Sequence, residues 1–148
     1  MTDQPHPPRP GSDRLPAVFA TVTYLALVIA AFGFVSLITD TDVIDLTDAG
    51  PVVGPVMVLG ASIATFPALV RCVHSRTPWV ALVLAAAASY VTMLLVGGVA
   101  YALVRGQVLW VVLFAAREAT SPYILTAATL SGLTVVALWA VSRGSALR

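Results

Sequence analysis

The sequence predicts an all-α polytopic membrane protein with four transmembrane helices and one short outer helix, which is interfacial or re-entrant. The first observation is composition, since 59% of the residues are hydrophobic and 10% are charged, against about 25% charged in soluble domains. The second is a set of four apolar runs without charge, each near the length of about 20 residues that a membrane-crossing helix needs. The third is a shorter apolar run, residues 108–116, which ends in Arg117-Glu118.

Residues 1–16 are predicted to form a disordered, Pro-rich cytosolic tail, because proline cannot donate a backbone hydrogen bond inside a helix. The transmembrane domain covers residues 17–141, and its first span is 17–38. This span is longer than the apolar region of about 7–15 residues in a cleaved signal peptide, and no A-x-A site follows it. We therefore expect it to be a retained helix.

Residues 39–50 carry four Asp and no basic residue. An Asp-x-Asp pair can begin a calcium loop, but the EF-hand pattern needs Gly at the sixth and Glu at the twelfth position. Counted from Asp40, those positions hold Asp45 and Pro51. We interpret the segment as a solvated acidic loop, with weak divalent-ion or partner binding as the alternative. The second predicted span, 51–70, follows it.

The third predicted span, 79–104, is longer than a bilayer requires and is expected to tilt or protrude. Arg105-Gly106-Gln107 ends it. The last predicted span is 123–141, and residues 142–148 form a second cytosolic tail.

The apolar run before Arg117-Glu118 allows two interpretations. In the first, it lies along the outer interface or dips in as a re-entrant helix, so both charges rest at headgroup depth and Pro122 starts the last span. In the second, a helix begins directly after Gln107 and carries Arg117 about 14 Å into the bilayer. A central Arg costs about 2.5–3.5 kcal/mol, and apolar residues 130–141 would then enter the cytosol. Both costs favour the first interpretation.

The distribution of arginine predicts the orientation. With the N-terminus inside, the inner segments hold six of the eight basic residues, and the outer segments hold Arg105 and Arg117. Cytoplasmic segments carry an excess of Lys and Arg. The sequence therefore predicts a multi-pass protein of the bacterial plasma membrane with its N- and C-termini in the cytosol.

The polar side chains inside the spans are Ser and Thr in pairs three residues apart, which places each pair on one helix face. The pairs are Ser62 and Thr65, Ser89 and Thr92, and Ser131 and Thr134. Small residues four apart accompany them and allow helices to approach closely. We interpret these pairs as a packing seam in a four-helix bundle. The alternative is a polar lining for a lipid, a quinone or a small solute.

The predicted spans contain no Asp, Glu, Lys, Arg or His, which argues against proton-coupled transporters and ion pumps. Small multidrug exporters depend on a carboxylate in their first helix, and span 17–38 has none. Cys72 and His74 supply two potential ligands where a structural zinc site needs four. With no visible nucleophile–base pair, we predict no enzymatic activity, no catalytic residue, no cofactor and no metal. A net charge of +1 gives no case for nucleic acid.

The candidate interface is the segment with Trp110, Arg117 and Glu118, because an exposed apolar surface outside a span must meet lipid or protein. The expected partners are the lipid bilayer and a membrane protein or a second copy of the chain.

The stretch AAFGFVSLITDTDVIDLTDAGPVVGP, residues 30–55, and the absence of Lys resemble small uncharacterised four-helix integral membrane proteins of actinobacteria. The resemblance implies a class of protein and no activity. The leading functional prediction is a non-enzymatic accessory or scaffold subunit of a membrane complex. The alternative is a small transporter, channel or lipid- or quinone-binding protein that uses the Ser/Thr seam.

Overall fold

The protein is helical throughout the part that the computed structural model describes, residues 14–40, 52–75 and 77–146. Its helices are α1 (Arg14–Thr39), α2 (Val53–His74), α3 (Trp79–Arg105), α4 (Leu109–Glu118) and α5 (Pro122–Ala146). Four of them, all but α4, are long and apolar enough to cross a membrane. The prediction of an all-α protein with four such helices is therefore confirmed for these residues. The interfacial or re-entrant position of α4 stays a prediction.

Some predicted features lie outside the described residues, namely most of the N-terminal tail, most of the acidic loop and the last two residues. All four long helices extend beyond their predicted spans, α2 at its C-terminal end to His74 and α3 by one residue to Arg105. α1 begins at Arg14, inside the predicted tail, because Pro16 falls in the first helical turn, where backbone N–H groups need no partner. α5 continues to Ala146, where the guanidinium carbon of Arg143 lies 4.5 Å from the centre of the Trp139 ring. This contact across one turn supports the end of the helix.

The four long helices pack in a closed ring. α1 contacts α2, α2 contacts α3, α3 contacts α5, and α5 contacts α1, while α2 also touches α5 across the ring. α4 packs on α3. α3 thus contacts α2, α4 and α5, and it is the helix against which the short helix α4 lies.

The buried face of α3 repeats every fourth residue, which places its members on one side of the helix. They are Ala81, Ala85, Ser89, Met93, Gly97 and Tyr101. Side chains are small at the N-terminal end of this face and larger towards the other end, where Gly97 interrupts the trend. This single face packs against different helices along its length.

Two groups of buried side chains fill the interior. The first, which we call the aromatic cluster, contains Tyr24, Val28, Phe32, Val53, Met57, Val58, Ala61, Met93, Tyr101, Phe114, Tyr123, Ile124 and Ala127. The second, which we call the Cys72 cluster, contains Ala17, Ala68, Leu69, Cys72, Ala81, Ala85, Val135 and Leu138. α4 contributes to the aromatic cluster through Phe114.

Candidate functional site: the break between α4 and α5

A glycine turn reverses the chain between α3 and α4. Gly106 adopts a φ of 70°, in the left-handed region that glycine reaches without steric cost. The N–H groups of Gly106 and Gln107 both point to the carbonyl oxygen of Ala102, the second at 3.3 Å. This arrangement ends α3 and directs the following residues back along it.

Two adjacent glycines let α4 lie close to α3. A Cβ atom at Gly97 would stand 2.7 Å from Cε1 of Phe114 and 2.6 Å from Sδ of Met57. A Cβ atom at Gly98 would stand 3.1 Å from the carbonyl oxygen of Val111. Sequence reasoning did not single out either residue. Glycine inside a helix marks close backbone approach, so the pair was a signal that could have been used.

Aromatic rings join α4 to the end of α3. Tyr101 meets Trp110 edge to face with ring centres 5.6 Å apart, and the centre of the Phe114 ring is 5.9 Å from that of Tyr101. The guanidinium carbon of Arg105 lies 5.1 Å from the Trp110 ring centre and 5.7 Å from that of Tyr101. Such cation–π contacts hold a charged group against an otherwise apolar surface.

The helix break between α4 and α5 covers residues 119–121. Pro122 has no N–H group and disfavours helical backbone in the residue before it, so a new helix begins there. The N–H of Ser121 donates to the carbonyl oxygen of Glu118 at 2.9 Å. The Tyr90 hydroxyl on α3 donates to the carbonyl oxygen of Ala119 at 2.8 Å, which satisfies a backbone group that the break leaves without a helical partner.

The contact with Tyr90 places the break far back along α3. Tyr90 precedes Arg105 by 15 residues, which corresponds to about 22 Å of helix at 1.5 Å per residue. α4 therefore begins near the C-terminal end of α3 and ends deep beside its middle. α4 covers Gly97 and Tyr101, whereas α5 packs near Ala85 and Ser89. The two helices thus follow one another along one face of α3, like a single helix with a break.

The adjacent charges at the end of α4 point to different surroundings. Arg117 is exposed, whereas Glu118 keeps only 6% of its surface accessible. Both residues interact within the protein. The sequence predicts that both charges form one polar end of α4. Neighbouring residues on a helix, however, differ in direction by about 100°. The helix thus buries its carboxylate beside the break and exposes its guanidinium.

A cleft of about 430 Å³ lies beside this segment. Trp110, Leu113 and Arg117 fall on one flank of α4 and line it, together with Tyr101, Phe114 and Ala116. The candidate interface residues Trp110 and Arg117 are therefore brought together, while Glu118 turns towards the interior.

Most hydroxyl groups of the predicted Ser/Thr seam form hydrogen bonds within their own helix rather than between helices. Four of its hydroxyl groups donate to carbonyl oxygens of their own helix, those of Ser62, Thr65, Ser131 and Thr134. Ser89 differs, because its Oγ lies 2.8 Å from the hydroxyl of Tyr24, which also donates to the carbonyl oxygen of Ala127 at 3.3 Å. Tyr24 thereby connects α1, α3 and α5, and sequence reasoning did not identify it.

The sixth seam residue, Thr92, is half-buried where α2 crosses α3. Its methyl carbon would lie 3.4 Å from a Cβ atom placed at Gly60. Where α5 lies against α3, a Cβ atom at Gly132 would lie 3.3 Å from Cγ of Leu82. The small residues that accompany the Ser/Thr pairs therefore lie at close helix crossings.

Cys72 lies at the contact between α2 and α5. The Cys72 thiol donates to the carbonyl oxygen of Val135 at 3.3 Å and is buried. Within residues 14–40, 52–75 and 77–146, no three His, Cys, Asp or Glu side chains gather where they could hold a metal ion.

The sequence matches a family of unknown function, DUF6121, over residues 12–148. The chain belongs to DUF6121. No curated protein and no solved structure matches it. The family and the four long apolar helices together suggest a membrane protein, and the resemblance to actinobacterial membrane proteins stays a prediction. In this DUF6121 chain, the helix break, the buried Glu118 and the cleft all lie at α4.

Proposed function

We propose that this DUF6121 chain is a non-enzymatic, multi-pass membrane protein that acts as an accessory or scaffold subunit, with α4 as the contact surface for its partner. The observation that carries the proposal is the position of α4 against α3, with its far side bare. Val112 and Leu109 on that side are 67% and 68% exposed. A bare apolar surface of this kind must meet lipid or protein.

In this proposal the four long helices form a bundle that spans the membrane, with both termini in the cytosol and α4 at the outer side. The six inner arginines against two outer ones favour it. The depth of the break favours the re-entrant form of α4, because a helix lying flat on the surface would not reach Tyr90. In this form Arg117 and Glu118, which directly precede Ala119, lie below the headgroup depth that the sequence predicts for both charges. Irregular backbone at membrane depth requires protein partners for its polar groups, and the Tyr90 hydroxyl supplies one for Ala119.

The hydroxyl bonding pattern argues against the Ser/Thr seam as a solute path. Hydroxyl groups that donate to their own helix, as those of Ser62 and Thr134 do, have no donor left for a passing solute. Their burial at close helix crossings fits packing. The seam therefore supports the scaffold hypothesis rather than a channel.

Photo-crosslinking of the full chain in native membranes tests the proposal. A benzophenone amino acid at Val112 should give a discrete protein adduct, because this residue faces away from α3. The matched control is Phe34 on α1, which is 70% exposed and apolar and is expected to face lipid. Purification in mild detergent should then yield a stoichiometric complex containing the same partner.

The result that contradicts the scaffold hypothesis is a lone monomer in mild detergent with lipid adducts at both positions. An adduct between two copies of the chain would identify the partner as a second subunit. The adduct at Val112 should also weaken when α4 is displaced by Gly97→Ala, and an adduct that persists unchanged would place the contact elsewhere.

A second candidate function is a small transporter centred on the break rather than on the seam. The buried Glu118 beside a broken helix favours it, because discontinuous helices and buried carboxylates mark substrate paths in membranes. Solute or proton flux in liposomes should then be lost in Glu118→Gln and kept in Ser131→Ala. Flux that is lost in Ser89→Ala or Thr92→Val instead would support the Ser/Thr seam as the solute path. The absence of any flux would contradict both transporter hypotheses.

A further inference from the structure

The cleft beside α4 combines an apolar wall with the guanidinium group of Arg117, and a second arginine, Arg105, packs against two of its lining residues. Leu113 and Phe114 line its apolar part, and Arg117 lies on its wall. Arg105 stands at its edge, because its guanidinium carbon packs over Trp110 and Tyr101, two other lining residues. The cleft is thus amphipathic, with positive charge beside aromatic and aliphatic surface.

We propose that this cleft binds an anionic phospholipid, with its phosphodiester group held by Arg105 and Arg117 and part of an acyl chain lying along Leu113. The cleft lies on the flank of α4 that carries Trp110 and Arg117, whereas the protein contact proposed above is centred on Val112. Charge complementarity carries the assignment, because guanidinium groups bind phosphate oxygens through short, strong hydrogen bonds.

Arg105 can bind a phosphate while it keeps its hydrogen bond to Tyr101. A guanidinium group carries five N–H donors, and Arg105 uses its Nε–H towards the Tyr101 hydroxyl at 3.3 Å. Stacking on Trp110 fixes the plane of Arg105, so less side-chain freedom is lost when a ligand binds. The cleft volume of about 430 Å³ holds part of a lipid rather than a whole one.

The apolar wall distinguishes a lipid from free phosphate. Inorganic phosphate would leave Leu113 and Phe114 without a partner, whereas a lipid covers them with its hydrocarbon. Basic pockets between membrane helices are a recognised way of holding anionic headgroups. The other end of the molecule also has an arginine on a tryptophan, Arg143 on Trp139, but there both side chains belong to the same helix.

Fluorescence quenching by brominated lipids tests the site in the full chain. A Trp79→Phe and Trp139→Phe background leaves Trp110, which lines the cleft, as the single tryptophan. The protein is reconstituted in zwitterionic vesicles that contain a minor fraction of brominated phosphatidylglycerol or brominated phosphatidylcholine. We expect a relative binding constant about tenfold higher for the anionic lipid, since a charge-assisted hydrogen bond is worth at least about that factor.

Three variants assign the preference to the cleft. Arg105→Gln with Arg117→Gln should bring the ratio of the two lipids close to one, and using a ratio cancels any direct effect of Arg105 on Trp110. Ala116→Phe should lower the preference by filling the cleft while both charges remain. Arg143→Gln, the matched control, should leave it unchanged. Circular dichroism confirms that each variant keeps its helices.

Three results would overturn the assignment. Equal quenching of Trp110 by both lipids in the parent protein would show that the cleft does not select charge. Displacement of the brominated anionic lipid by millimolar inorganic phosphate would show that free phosphate is the ligand. A preference for the anionic lipid that survives both the double Arg change and Ala116→Phe would show that the lipid binds at another surface, which would also contradict the cleft as the site.

Discussion

The aromatic cluster and the Cys72 cluster solve the same packing problem with different side chains. In the Cys72 cluster, alanines such as Ala81 and Ala85 line α3 where the continuous helix α5 lies against it. In the aromatic cluster, Gly97 and the rings of Tyr101 and Phe114 accommodate the short helix α4. A continuous helix needs only small residues to approach closely. A broken one needs glycine at the contact and large side chains to fill the space around the break.

The same contrast extends to the polar groups of the two regions. Beside the Cys72 cluster, the thiol of Cys72 bonds to a carbonyl oxygen of a neighbouring helix. Beside the aromatic cluster lie the buried Glu118, the Tyr90–Ala119 hydrogen bond and the cleft with Arg117. Chemistry and recognition are therefore expected at the α4 end of the protein.

The largest effect should come from adding one methyl group at Gly97. The new Cβ atom would stand 2.6 Å from Sδ of Met57 and 2.7 Å from the Phe114 ring, so Gly97→Ala should push α4 away from α3. We expect a loss of about 1–3 kcal/mol in the free energy of unfolding, measured by denaturation in mixed micelles.

Gly33→Ala is the matched control, because a Cβ atom at Gly33 meets nothing within 4 Å. It should stabilise α1 slightly, by about 0.5–1 kcal/mol, through helix propensity alone. If both changes shifted stability equally, the close approach of α4 to α3 would lose its support. Maleimide labelling of Cys72 should stay slow in both variants, since the damage at Gly97 is confined to the aromatic cluster.

The next prediction compares how much the two charges at the end of α4 contribute to stability. Glu118→Ala should destabilise the protein by about 1–3 kcal/mol, because it removes a buried polar group together with its interaction. Arg117→Ala should change stability by less than about 0.5 kcal/mol, as is usual for an exposed position. Both values come from the same denaturation assay in lipid-free micelles. Equal effects would mean that the two charges share one environment, as the sequence alone suggested.

Sequence reasoning could reach the helices because apolar length and the absence of charge decide them locally. The four spans and the start of α5 at Pro122 depend on such local features. The break was also foreseeable as a choice between two interpretations. Which side of α4 faces inward was not, because that depends on contacts with residues far away in the chain, such as Gly97 and Tyr90.

The candidate site was predictable only in its residue types. Trp110 and Arg117 stood out as an aromatic residue and a charge beside an apolar run, and they line one cleft. Tyr24 did not stand out, because an aromatic side chain in the middle of a span looks like ordinary apolar filling. The role of its hydroxyl, which forms hydrogen bonds to α3 and α5, can be recognised only when the three helices are packed together.

The smallest expected effect on stability concerns the Tyr24 hydroxyl, which lies where the two clusters meet. Tyr24→Phe and Ser89→Ala, combined in a double-mutant cycle, should show a coupling of about 0.6 kcal/mol, the average for interhelical hydrogen bonds in membranes. Ser131 provides the control, because its hydroxyl donates within its own helix to Ala128 at 2.7 Å. A cycle of Tyr24→Phe with Ser131→Ala should therefore give no coupling beyond about 0.3 kcal/mol.

Equal coupling in the two cycles would mean that Tyr24 acts through general packing. A coupling confined to Ser89 would instead identify the Tyr24–Ser89 hydrogen bond as a specific link between α1 and α3, which lie opposite one another in the ring. Because Ser89 lies four residues from Ala85 on one side and from Met93 on the other, that link stands at the change from small to large side chains along α3. The helix that carries both clusters would then be tied to α1 at the boundary between them.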